Sequence, residues 1–179
     1  MISRRTMLAG AATMLPALPA LAASDDPKLD RAADAALKQL AASNPSGKVL
    51  GEKAVGILVF PRIVKVGFLL GGAYGEGALK KGGKYVGYYN SAAASYGLQA
   101  GAQWFGYALF FMNETALSYL DKSSGFEVGT GPSVVVLDQG AARKISSTTL
   151  TQDGYAVVFG QRGLMAGVGI EGSKITKIR

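Results

Sequence analysis

Gly87–Gln103 reads GYYNSAAASYGLQAGAQ, a stretch patterned as strand although almost every side chain is Gly, Ala, Ser or a large aromatic. Glycine loses more backbone freedom on folding than any other residue. A strand this rich in it therefore marks a bulge, a sharp bend or a close approach of another surface. In the next stretch, Trp104–Met112, Trp104, Phe110 and Met112 share one face with Gly106 and Ala108, while Phe105, Tyr107, Leu109 and Phe111 fill the other. A strand that is apolar on both faces is central in its sheet or faces something other than water.

Working outward, Ala54–Phe60 reads as a buried strand, Pro61–Lys65 as a short turn or single helical turn and Gly67–Leu79 as a second strand interrupted by glycines. Lys80–Gly83 turns the chain into Lys84–Asn90, a hairpin, and Ser95–Gln103 and Trp104–Met112 follow as separate strands. Asn113 caps a short helix through Leu120 that Gly125 ends. Ser133–Leu137 reads as another buried strand turned by Asp138-Gln139-Gly140. Ala142–Leu150, Tyr155–Phe159, Leu164–Ile170 and Lys174–Ile178 complete the series, with short turns that argue for antiparallel neighbours. Lys174, Lys177 and Arg179 would blunt a terminal edge strand. The pattern predicts an α+β fold: a strongly curved, mainly antiparallel sheet closing toward a barrel or sandwich, with an N-terminal amphipathic helix and one or two short helices.

That N-terminal helix is read over Asp25–Ala42. Leu29, Ala32, Ala33, Ala36, Leu37, Leu40 and Ala41 make one apolar stripe, Pro27 suits the first turn, and Asn44-Pro45-Ser46-Gly47 stops it. Two roles compete. A basic amphipathic helix can lie on an anionic bilayer, whereas an alanine-rich stripe, diluted by Asp30 and Asp34, suits a lid over the open end of a β-structure.

Residues 1–22 have the parts of an export signal: Arg4-Arg5, an apolar run from Met7 to Leu18, and Ala20-Leu21-Ala22 before cleavage. The context SRRTML points to the twin-arginine route, with an ordinary Sec signal as the alternative. The organisation expected is then a 1–22 signal peptide, residues 23–53 as helix and linker of the same domain, and a 54–179 β-rich core, located in the periplasm or exported, peripheral to a membrane.

The full chain of 179 residues carries a formal charge of +7; without Arg4 and Arg5, 17 basic against 12 acidic residues leave +5. This excess favours anionic partners. No basic run suits nucleic acid, and no apolar stretch of the mature chain is long enough for a membrane-spanning helix. Cysteine and histidine are absent, which removes thiolate and imidazole metal sites, the Ser-His-Asp triad, Cys-His nucleophiles and disulfides. No metal and no cofactor are expected. Gly167–Gly172 matches GxGxxG, but a short basic tail follows it in place of the helix that a dinucleotide site needs. Glu76, Glu127, Asp138 and Asp153 are the carboxylates that could work without histidine, and none is paired in sequence.

Together with Gly87–Gln103, the blocks GFEVGTGPSVVVLDQG (Gly125–Gly140), TTL (Thr148–Leu150) and YAVVFGQRGLMAGVGIEGSKIT (Tyr155–Thr176) closely resemble the SYLF lipid-binding domain, a family with a yeast actin-binding member. The resemblance spans about Ala54–Arg179 and implies a non-enzymatic lipid-binding protein. In an exported protein the partner would be an anionic phospholipid or another envelope lipid, with an envelope protein as the alternative partner. The candidate contacts are the helix group Lys28, Arg31 and Lys38 with Lys48 and Lys53, the hairpin group Lys80, Lys81 and Lys84, and the interface-type aromatics Tyr88, Tyr89 and Trp104.

Overall fold

Two very long strands, β1 (Gly56–Lys81) and β2 (Lys84–Phe111), form an antiparallel hairpin. It closes through Gly82 and Gly83, whose φ of 56° and 81° are the left-handed values a two-residue hairpin turn requires. The structure, a computed structural model, describes residues 25–121, 125–128, 131–137, 150–163 and 172–179. The export signal with Arg4, Arg5, Ala20 and Ala22, the expected strand Leu164–Ile170, and all of Ala142–Leu150 except its last residue lie outside the described residues, as does Asp138.

The sequence reading divides this hairpin into five strands; it is two. Pro61 does not break β1, because Pro61 and Arg62 together oppose Gly106 in a bulge, one of the few sheet positions that tolerate proline. A second irregularity falls between Gly67 and Leu69, which pair with Gly101 and Gly97. Here the hairpin bends instead of ending. The glycines do permit a close approach, and the surface that approaches is the strand's own first half. A Cβ on Gly67 would lie 2.9 Å from the Gly71 Cα, and one on Gly77 would lie 2.6 Å from the Val59 carbonyl oxygen and 2.7 Å from the Phe60 ring.

On its other side β2 pairs with β5 (Gly154–Gly163) along Gln103–Phe111 and with β6 (Lys174–Lys177) along Tyr89–Ala92. β3 (Phe126–Glu127) adds to β6, and β4 (Val134–Leu137) runs parallel to β5. The result is a mostly antiparallel, strongly curled half-barrel of six described strands. Two details differ from the sequence reading. β4 is a partly exposed parallel strand, and β6 lies between β2 and β3, its Lys177 Nζ 3.3 Å from Asp121 Oδ1.

Each face of the sheet carries a core. On the inner face Leu58, Phe60, Ile63, Tyr89, Phe105, Tyr107, Leu109 and Phe111 pack with Leu117, Leu120, Phe126 and Ile175. Tyr107 stacks on Phe60 at 4.7 Å and donates its buried hydroxyl to Ser91 Oγ. On the outer face Val59, Ala78, Tyr88, Ala108, Phe110, Val157 and Phe159 pack under Ala33, Ala36 and Leu40 of α1 (Pro27–Ser43) and Leu50 of α2 (Pro45–Lys53). The two-sided apolarity of Trp104–Met112 therefore reflects a central strand. Asp26 caps α1, and Asn44 both ends α1 and caps α2 through its side chain, so the residues read as linker are helical. The stripe of α1 faces the sheet, and the helix is a lid. A short helix, α3 (Glu114–Ser118), follows β2 and is capped by Asn113.

Candidate functional site

Lys28, Arg31 and Lys38 on α1 and Lys48 and Lys53 on α2 are exposed, as are Lys81 and Lys84 at the hairpin tip; Lys80 is half-buried. Folding joins the helix and hairpin groups through an acid. Lys80 Nζ lies 2.7 Å from Asp34 Oδ1, and the Tyr85 hydroxyl donates to the same oxygen at 2.8 Å. These two hydrogen bonds, Lys80 first, hold the Asp34 carboxyl below its ordinary range. Burial, then the bond to Asp34, pushes the Tyr85 hydroxyl up. Lys81 pairs with Glu114 at 2.9 Å. Part of the positive charge at the tip is thereby answered within the molecule.

The aromatics divide. Tyr88 and Tyr89 are 2% and 1% exposed and point into the outer and inner cores respectively. Tyr88 accepts from the Asp26 amide and donates to Asp30, while the Arg179 guanidinium sits over its ring. It ties α1 to β2 and to the C-terminal residues. Trp104 alone of the three reaches solvent, at 39%.

Around Trp104 lie groups that the sequence reading missed. Past the Pro61–Arg62 bulge, the β1 residues that alternate toward the outer face are Val64, Val66, Phe68, Leu70 and Tyr74, and no helix among the described residues covers them. Phe68 is 74% and Leu70 66% exposed, at the point where the hairpin bends. Val64, Val66 and Tyr74 line an apolar depression of about 340 Å³ beside them. Isolated exposed hydrophobes are ordinary, but a contiguous row is not. The signal for it in sequence is the even spacing of Val64, Val66, Phe68 and Leu70, which reads equally well as core.

At the base of this row a second bulge mirrors the first. Between Trp104 and Gly106 the ladder to β5 slips, so that Gly160 and Gln161 oppose Phe105; Gly160 has φ of 61°, the left-handed glycine of one common bulge type. Arg62 from one bulge and Arg162, the cross-strand partner of Trp104 beside the other, thus flank one ring. The Arg62 guanidinium lies 5.6 Å from its centroid. The three side chains and Gln39 of α1 line a cavity of about 260 Å³ with Gly106 and Phe159 in its wall. Among the described residues no carboxylate lines it and neither arginine has an ion-pair partner.

Two of the carboxylates weighed for catalysis, Glu76 and Asp153, bond within their local structure. Glu76 accepts from the Tyr74 hydroxyl at 3.3 Å. Asp153 accepts from Asn113 at 2.9 Å and from the Ser133 amide and hydroxyl at 3.1 Å, bonds that hold its carboxyl below the ordinary range. No helix among the described residues is long and apolar enough to cross a membrane.

No curated protein matches this chain. A family model described as "Ysc84: Las17-binding protein actin regulator" matches residues 92–179, the span that runs from the middle of β2 through β6 and includes Trp104 and Arg162. Residues 92–179 thus match the model of the Ysc84 family, the SYLF family that the glycine-rich blocks of the chain resemble.

Proposed function

We propose that this is an exported, non-enzymatic lipid-binding protein that sits on an anionic membrane surface. The observation that carries the reading is the exposed row Val64, Val66, Phe68 and Leu70 at the hairpin bend, with two arginines at its base that have no ion-pair partner among the described residues. Family membership is consistent with lipid binding. Fully burying an exposed Phe or Leu contributes about 1.5–3 kcal/mol each, and Phe68 and Leu70 have 74% and 66% of their surface still to bury, so together they supply roughly 2–4 kcal/mol, enough only for weak and reversible attachment. Basic residues near an anionic surface add about 1 kcal/mol apiece. Binding should therefore need both terms and weaken with salt. Lys28, Arg31, Lys38, Lys48, Lys53 and Lys84 supply general attraction, and the twin-arginine signal would deliver the folded protein to the periplasmic side.

Cosedimentation with phosphatidylglycerol vesicles across a salt series tests this. The parent should bind phosphatidylglycerol and not phosphatidylcholine, and Phe68→Ser with Leu70→Ser should weaken binding about 10-fold or more. Equal binding by parent and variant removes the bend from the mechanism. The second reading, an envelope protein-interaction module, draws on the family description as a Las17-binding actin regulator. Saturable capture of one envelope protein, without vesicle binding, would favour it.

A further inference from the structure

We propose that Arg62, Arg162 and Trp104 form a binding pocket for the phosphate group of a lipid headgroup, placed so that the acyl portion lies along the apolar row of the bend. The inference rests on the lipid-binding reading and assigns it a site that none of the surface lysines forms.

Three observations converge. First, two bulges at the same level of the sheet, Pro61–Arg62 on β1 and Gly160–Gln161 on β5, flank a single stretch of β2. Bulges re-aim side chains and are over-represented beside functional sites, and here Arg62 of the first lies over the Trp104 ring while Arg162, next to the second and the cross-strand partner of Trp104, lines the same cavity. Second, both arginines lack an acidic partner among the described residues, whereas Lys80, Lys81, Lys177 and Arg179 each have one. A planar guanidinium presents a fork of N–H donors that matches phosphate oxygens, and resting it on an aromatic face fixes its orientation before a ligand arrives. Third, the cavity of about 260 Å³ lies below the roughly 300–1,000 Å³ typical of sites for drug-sized molecules. It suits a headgroup, not a whole lipid. The acyl chains must leave it, and the neighbouring surface is the row that begins at Val64, the cross-strand partner of Trp104. Gly106 keeps the wall of the cavity thin, since a Cβ there would lie 2.5 Å from the Phe159 ring.

Trp104 is the only tryptophan in the chain, so its emission reports on this pocket directly. The full mature protein is titrated with phosphatidylglycerol vesicles and, separately, with inorganic phosphate; the variant Arg62→Gln with Arg162→Gln is titrated in parallel. Both arginines are exposed, so the variant should keep the parent's circular dichroism and unfolding midpoint. The expected result is a saturable emission change with vesicles that the double variant shows about 10- to 30-fold more weakly, the loss of two close phosphate contacts. A response to inorganic phosphate without vesicle binding, lost in the double variant, supports the pocket, identifies a free anion as its ligand and overturns the lipid reading. Vesicle binding that the double variant retains at full affinity overturns the pocket and leaves the lipid reading standing. No response to either probe overturns both.

Discussion

The outer face of β1 is core at its ends and bare in its middle. Val59 and Ala78 are fully buried beneath α1 and α2, yet Val64, Val66, Phe68 and Leu70, on the same face of the same strand, meet solvent. Nothing in the residue types separates the two regions. Cover separates them: the two helices span the strand ends that the bend brings together and leave the bend itself outside. An apolar strand face is thus a core or an interface according to what the rest of the chain lays over it, and here the uncovered part adjoins the cavity that Arg62, Arg162 and the exposed Trp104 line.

The sharpest way to break this comparison is to truncate one aromatic in each region. Phe110 is buried under the helices, and Phe110→Ala should cost about 3–5 kcal/mol of folding stability, as buried Phe→Ala changes do. Phe68→Ala should change stability by no more than about 0.5 kcal/mol. Denaturant unfolding of the two variants measures both. A large loss for Phe68→Ala would mean that the bend is packed in solution, and the contrast between regions would fail.

The bend exists because glycines allow β1 to fold over itself, so the next test acts on that approach. Gly77→Ala places a methyl against the Val59 carbonyl and the Phe60 ring and should destabilise the protein by about 1–3 kcal/mol. Gly82→Ala, at the open hairpin turn, meets no neighbouring atom and suffers only the strain of a left-handed φ. The comparison of these two unfolding midpoints separates contact from conformation. A smaller loss at Gly77 than at Gly82 would show that the two arms of β1 stand apart.

Much of this architecture was legible in the sequence. The alternation of Trp104–Met112 placed Phe105, Tyr107, Leu109 and Phe111 opposite Ala108 and Phe110, as observed, because period-two patterning survives wherever both faces are buried. Lys80–Lys84 announced its turn through two adjacent glycines. Strand continuity was not legible, since Pro61 and the glycines near residue 67 punctuate a bulged, bent strand in the same way that they punctuate a chain break. The site was less legible still. Arg62 and Arg162 are a hundred residues apart and line one cavity only because two bulges face each other across β2, and Tyr88 and Tyr89 look like interfacial aromatics until folding buries one in each core. The lysines stood out by their density in sequence, which says nothing of the acids that folding brings to them.

The smallest effect concerns those acids. Asp34 links the helix and hairpin basic groups, and its carboxyl titrates below the ordinary value because Lys80 and then Tyr85 hydrogen-bond its ionised form. A group whose folded pKa is depressed contributes stability that is fully present above its unfolded pKa, about 3.9, and is lost as pH falls through the lower folded value. The Asp34 carboxylate is nearly half exposed, so the contribution should not exceed about 1 kcal/mol. Asp34→Asn should accordingly lower stability slightly at neutral pH and bring no penalty at pH values below both pKa values. The same change frees Lys80 and raises the net charge by one, so it should strengthen binding to phosphatidylglycerol vesicles at low salt by a few-fold, an advantage that disappears as salt screens it. Opposite signs in the two measurements are the distinctive outcome, because a merely misfolded variant would lose both. If vesicle binding instead falls together with stability, the lysines of the hairpin tip make no contact with the membrane, and the bend alone carries attachment.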